Sequence, residues 1–211
     1  MTAAAVRRIG IFGGSFDPVH QAHLALARVA IDSLQLTELR LVPVGHAWQK
    51  DRQLADASHR IAMLQAALTS EPIDARVVLD DTEIRRGGPS YTVETLRDVH
   101  VEAPGSEVFL IIGQDQYAGL HTWYGWSEIV QLATLAVAAR ADQAVVPSAE
   151  LAGVPHRVVQ LPLPAMAVSS TAVREHLARG ETAASLVPAL LPVTVASYID
   201  SHHLYAQGTP R

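Results

Sequence analysis

Between Gly10 and His23 the chain reads GIFGGSFDPVHQAH, which crowds three glycines, an Asp-Pro step and two histidines between an apolar strand pattern and an apolar helix pattern. Backbone without side chains at Gly13 and Gly14 lets a bulky anion come close, and a helix that follows turns its positive end toward the same place. His20 and His23 are three apart and share a face once a helix has begun, so both imidazoles can meet one ligand. Phosphate is the ligand that suits this set. For an isolated H-x-x-H the plainer reading is one helix cap and one satisfied buried histidine, and a metal site lacks an evident third ligand. The glycine spacing is neither G-x-G-x-x-G nor G-x-x-x-x-G-K-[ST], which disfavours a dehydrogenase-type loop and sets aside a P-loop.

A second cluster stands near the other end of the chain, in SSTAVREHLARG, residues 169–180. It has the polar start of a helix, a basic last turn and a closing glycine at Gly180. Ser170 and Arg174 are four apart at that start, so with the free N–H groups of the first turn they can face one anion together. Taken alone, the segment reads first as a plain N-cap with an exposed arginine.

The elements that would hold these clusters alternate. RRIGIFGG, LRLVPV, ARVVLDD, EVFLIIGQD, ATLAVAAR and HRVVQL read as strands. Helical spacing recurs at Leu24, Ala27, Ile31 and Leu34; at Ile61, Leu64 and Leu68 behind a cap at Asp56 or Ser58; at Val93, Leu96 and His100; and over ALLPVTVASYIDSHHL, with Pro192 in its first turn. Alternation of this kind implies right-handed crossovers and an α/β fold: a Rossmann-like, doubly wound, mostly parallel sheet with helices on both faces. Residues 143–167, rich in Pro and Gly, are the expected irregular excursion. In such sheets ligands bind beyond the carboxyl ends of the strands, which is where Gly13, Gly14 and Gly113 fall.

Composition narrows the partners. The chain has 211 residues, 49% of them hydrophobic, so a sizeable core is expected. A net charge of −5 argues against a protein that coats nucleic acid, though not against a small basic pocket. The absence of cysteine excludes disulfides, thiolate zinc sites and thiol catalysis. No apolar run approaches the ~18 to 20 residues needed to span a bilayer, so a cytoplasmic protein without membrane contact is expected.

GGSFDPVHQAH resembles the G-G-[ST]-F-D-P-x-H-x-G-H signature of the nucleotidyltransferase superfamily, and VSSTAVRE (Val168 to Glu175) resembles its I-S-S-T-x-[IV]-R signature. The two occur in the right order, about 150 residues apart. Within that superfamily GGPSYTVETL, IIGQDQY, TWYGWSEI and the ending LVPALLPVTVASYIDSHHLY are similar to the bacterial nicotinate-mononucleotide adenylyltransferases. The resemblance implies one nucleotidyltransferase domain over 1–211 with a small helical part from about 168. It also implies transfer of AMP from ATP to nicotinate mononucleotide, releasing pyrophosphate, with Mg²⁺ arriving on the triphosphate and no metal held by the protein. His20, His23 and Arg174 would be catalytic. Gly13, Gly14, Ser15, Phe16, Gly113, Asp115, Ser170 and Thr171 would bind ATP, and Lys50, Thr92, Trp123 and Tyr124 the nicotinate nucleotide. A homodimer is expected, with no segment arguing for its interface.

The chain departs from that pattern in two places. Ala22 stands where the motif has glycine, and GHAWQKDR replaces a P-P-H-[KR] element, keeping a basic residue at Lys50. Asp115 is equally a helix cap, Trp123 also reads as a partly buried core aromatic, and for Arg140 a solvated strand end is the safer reading than an approach to ATP. Two other functions fit the motifs: an adenylyltransferase for nicotinamide mononucleotide or phosphopantetheine, and a weakened nucleotide-binding protein.

Overall fold

A computed structural model of the chain describes residues 6–45, 54–70, 73, 76–139, 143–164 and 166–206. The chain enters through β1 (Arg8–Gly14), α1 (Gln21–Leu34), β2 (Glu38–Pro43), α2 (Ala57–Ser70) and β3 (Val77–Leu79). It continues through α3 (Thr82–Arg86), α4 (Thr92–Glu102), β4 (Glu107–Gly113), α5 (Gln114–Ala118), α6 (Trp126–Leu132) and β5 (Thr134–Ala139). It closes with α7 (Ala149–Ala152), β6 (Val158–Pro162), α8 (Ser170–Ala178) and α9 (Val193–Ser201), with short 3₁₀ turns at Leu120–Thr122 and Ala183–Leu186. The six strands form one parallel sheet in the order β3-β2-β1-β4-β5-β6.

The chain winds outward from β1 in both directions, so the switch in strand order lies between β1 and β4. That is where an open α/β sheet leaves a crevice at its carboxyl edge. Strand residues alternate between two cores, as a period of two demands. Phe12, Leu39, Phe109, Ile111 and Ala136 pack with α1, α2, α8 and α9 on one face. Ile9, Ile11, Leu110, Ile112 and Leu135 pack with α4, α5, α6 and α7 on the other. No helix of the described residues is long and apolar enough to cross a membrane.

The EVFLIIGQD strand ends at Gly113, where its apolar run ends, and Gln114 and Asp115 open α5, with the Gln116 side chain turning back to accept from the Gly113 N–H at 3.2 Å. Other sequence expectations are corrected. The core face of α2 is Arg60, Met63, Leu64 and Ala67 rather than Ile61, Leu64 and Leu68. The carbonyl of Asp56, not Ser58, accepts the first helical bond. Helix α9 spans Val193–Ser201, shorter than the ALLPVTVASYIDSHHL pattern, with Pro192 as its N-cap. Within the stretch 143–167 the HRVVQL strand is present as the edge strand β6, while α7 is a helix where an irregular excursion is expected.

Candidate active site

A cavity of about 850 Å³ opens over the carboxyl ends of β1, β2, β4 and β5, floored by Gly13, Gly113 and Ala138. The loop after β1 makes one wall. It turns at Phe16, whose φ of 47° is uncommon for a bulky residue and is held by burial of its ring against Phe12 (5.6 Å) and His23 (5.0 Å). The three glycines of this segment do different work. A Cβ at Gly10 would meet Leu36 Cδ1 at 2.6 Å and Leu39 Cδ1 at 3.0 Å, so Gly10 serves packing of the sheet. A Cβ at Gly14 would press on the Phe16 ring at 3.1 Å, whereas one at Gly13 would meet only Val42 O, at 4.0 Å, and stand in the cavity.

Helix α1 starts in this wall. His20 is its N-cap, and the rings of His20 and His23 are stacked at 3.7 Å. His23 Nδ1 accepts from the His20 N–H at 3.2 Å, which in the neutral ring leaves the proton on Nε2. His20 is almost fully buried, and its Nδ1 has no partner among the described residues. Burial depresses its pKa from 6.5 to about 4, so the ring is neutral at pH 7. Ala22, in the first turn, lines the cavity. The Gln21 N–H donates to Leu190 O at 3.0 Å, while the Ala22 N–H has no acceptor among the described residues.

Helix α8 enters from the opposite side and touches the first loop directly. Ser169 caps it by accepting from the Ala172 N–H. Ser170 Oγ donates to Pro18 O at 2.9 Å, and the Arg174 guanidinium donates to Asp17 O at 2.6 Å and to Thr171 Oγ1 at 3.0 Å. Two segments some 150 residues apart in sequence are thereby joined over one cavity. Two helix N-termini, the loop backbone and one arginine converge there, an arrangement suited to a polyanion.

The far half of the cavity is aromatic. Trp123 is half-buried against the α4–α6 core and lines the cavity, and Tyr91 and Tyr124 lie with ring centroids 4.5 Å apart. Thr92 is the first residue of α4, and neither its N–H nor that of Tyr124 has an acceptor among the described residues. A helix N-terminus with free N–H groups beside an aromatic face suits a planar ring carrying an acid.

The cavity thus brings together Gly13, Gly14, Ser15, His20 and His23 with Ser170, Thr171 and Arg174, and with Gly113, Thr92, Trp123 and Tyr124. Phe16 stands behind the loop, and Asp115 is exposed on α5, outside the cavity lining. Lys50 and Arg140 lie outside the described residues. Sequence reasoning passed over Glu83, which lines the cavity, and Asp17, Arg60 and Tyr205 behind it. Buried Arg60 donates to the carbonyls of Ser15 and Ala55 and so braces the loop. No three metal-ligating side chains stand together among the described residues.

The cytidylyltransferase-like family model matches residues 11–176. The "Probable nicotinate-nucleotide adenylyltransferase" of Methylibium petroleiphilum is 52% identical over 206 residues, covering 98% of this chain and 96% of that protein. This chain belongs to the nicotinate-nucleotide adenylyltransferase family. A protein of the same description from Albidiferax ferrireducens is 46% identical, covering 95% of this chain and 98% of that one. The fold also matches that of the Plasmodium falciparum nicotinic acid mononucleotide adenylyltransferase complexed with NaAD, at TM-score 0.78 and 20% identity over 94% of this chain and 97% of that chain.

Proposed function

We propose that the protein transfers AMP from Mg-ATP to nicotinate mononucleotide, giving nicotinate adenine dinucleotide and pyrophosphate, in the bacterial cytoplasm. The observation that carries the reading is the junction of Ser170 and Arg174 with the Pro18 and Asp17 carbonyls, which puts two phosphate-type motifs over one cavity whose other half is aromatic. The names of the relatives and the solved neighbour support the same reaction.

The attacking group is a phosphate oxygen of the nucleotide acceptor, already an anion, so the step needs no general base and no covalent enzyme intermediate. It displaces pyrophosphate in line from the α-phosphorus, and catalysis is positioning plus stabilisation of charge on the phosphates. In this reading the backbone of Gly13, Gly14 and Ser15 borders the reacting groups, with Gly113 below, and His20 and His23 meet the ATP phosphates. Ser170, Thr171 and Arg174 hold the leaving β- and γ-phosphates. Mg²⁺ comes with the triphosphate as part of the substrate, since a hard cation takes phosphate and water oxygens readily.

Trp123 stacks on the pyridine ring, and the N–H groups of Thr92 and Tyr124 donate to its carboxylate. A carboxamide would turn an NH₂ toward those donors and leave groups unpaired, so acid is preferred over amide. The test is pyrophosphate release from Mg-ATP with nicotinate mononucleotide, nicotinamide mononucleotide and phosphopantetheine side by side. Preference for the nicotinate compound is the expected result. Preference for another acceptor overturns the assignment of the aromatic half, and silence with all three overturns the reaction.

A further inference from the structure

Glu83 carries one of the few buried charged side chains of the described residues, yet the reaction above gives it no task. It is 8% exposed and lines the acceptor half of the cavity. Thr95 Oγ1 donates to its Oε1 at 2.9 Å, and the Ser90 hydroxyl bonds the same carboxyl group. Burial pushes the carboxyl pKa up, while those two hydroxyls and the charge of Arg86 pull the other way. The Ser90 Oγ in turn accepts from the Gly45 N–H at 3.0 Å, which frees the Ser90 proton for Glu83. Gly45 also packs so tightly on the Glu83 main chain that a Cβ there would collide with the Glu83 carbonyl oxygen.

These contacts tie three segments at one point: the end of β2, helix α3, and the turn that opens α4. Thr92 lies two residues after Ser90 and three before Thr95, so a single carboxylate fixes the chain on both sides of the Thr92 N–H. Resting on the reading that this N–H binds the acceptor's carboxylate, we propose that Glu83 is a positioning residue that sets acceptor affinity and acid selectivity through the Ser90–Thr95 turn. Direct contact is the weaker explanation of its place. A free carboxylate there would repel an acid, whereas one engaged by two hydroxyls turns its charge inward and holds the backbone donors outward.

The test compares wild type, Glu83→Gln, Thr95→Val and the double variant in steady-state kinetics with Mg-ATP and both pyridine mononucleotides, with thermal unfolding of each. Gln keeps the shape and one acceptor but sets an NH₂ against a hydroxyl. The expected result is a KM for nicotinate mononucleotide raised about tenfold, a reduced acid-to-amide ratio, and kcat and the KM for Mg-ATP changed less than about twofold. Thr95→Val moves the same constants in the same direction, and the double variant falls short of the sum because both act through one contact. If both substrates' constants shift alike in a folded Glu83→Gln, or acceptor KM does not move, the positioning role is overturned. Should Glu83→Gln fail to fold, the same pattern is read from Thr95→Val. Wild type is assayed first: no turnover of the nicotinate compound there removes the functional reading and this inference together, whereas normal wild-type turnover with an unchanged variant removes only the inference.

Discussion

Tyr205 and Asp17, 188 residues apart in the chain, meet in the fold, where the phenol donates to Asp17 Oδ1 at 2.7 Å. Asp17 is fully buried; the same Oδ1 accepts from the Ala55 N–H and the Asp17 carbonyl accepts from Arg174. Tyr205 holds a φ of 66°, a conformation that a bulky residue keeps only where its surroundings over-determine it. The last described turn of the chain is therefore a clasp on the loop that borders the phosphate half of the cavity.

Tyr205→Phe removes one hydroxyl and leaves the ring. The urea midpoint falls by an amount equivalent to about 1 to 2 kcal/mol with an unchanged slope. The KM for Mg-ATP rises while that for the acceptor does not. A stability loss with equal changes in both constants, or none, would show that the clasp does not reach the loop's function.

The buried His20 ring makes stability depend on pH. The unfolded chain takes up a proton at this group near 6.5 and the folded chain only near 4, so between those values the unfolded state binds more protons and stability falls as pH falls. Complete titration of that difference removes about 3 kcal/mol of the stability present above pH 6.5. His20→Asn flattens the profile of unfolding midpoint between pH 7.5 and 4.5. An identical profile in wild type and variant would mean that other groups set the acid limb.

Much of this architecture is legible before any coordinates. Strand β4 announces itself because a strand covered on both faces is apolar throughout, and α1 because Leu24, Ala27, Ile31 and Leu34 keep one stripe. Patterns of apolar residues fail where a polar side chain does core work. Arg60 sits on the inner face of α2 because two carbonyls receive its guanidinium, and Glu83 hides among charged neighbours in TEIRRGGPS, so periodicity points away from both. The Tyr205 contact depends on closure of the whole chain and has no local signal. Gly10, Gly13 and Gly14 look equivalent as letters; only the atoms around each absent Cβ separate them.

Trp123 separates the two substrates. The ring of a nicotinate nucleotide carries a fixed positive charge at its nitrogen, so a tryptophan face gains cation–π attraction as well as area. Trp123→Ala raises the KM for the acceptor about tenfold and leaves that for Mg-ATP within about twofold, with Trp123→Phe between the two. Equal losses for both substrates would make Trp123 a packing residue alone.

The glycines of strand β1 give the sharpest separation of fold from function. A methyl at Gly10 enters a space already filled by Leu36, Leu39 and Ile111, with contacts from 2.6 to 3.1 Å, so side chains must shift. Gly10→Ala therefore lowers stability by about 1 to 3 kcal/mol, while the KM for Mg-ATP in the folded fraction stays near wild type. Gly13→Ala meets no such crowding: its methyl has only Val42 O within reach, at 4.0 Å, and its backbone lies in the extended strand β1. The variant unfolds at the wild-type temperature, yet the methyl occupies the space where a phosphate would approach the main chain. Its kcat/KM for Mg-ATP falls at least about a hundredfold, the scale of losing a well-placed transition-state contact. Paired thermal unfolding and ATP kinetics on the two variants decide the matter. If Gly13→Ala keeps full activity, the triphosphate does not lie against β1, and the glycines of that strand serve the fold alone.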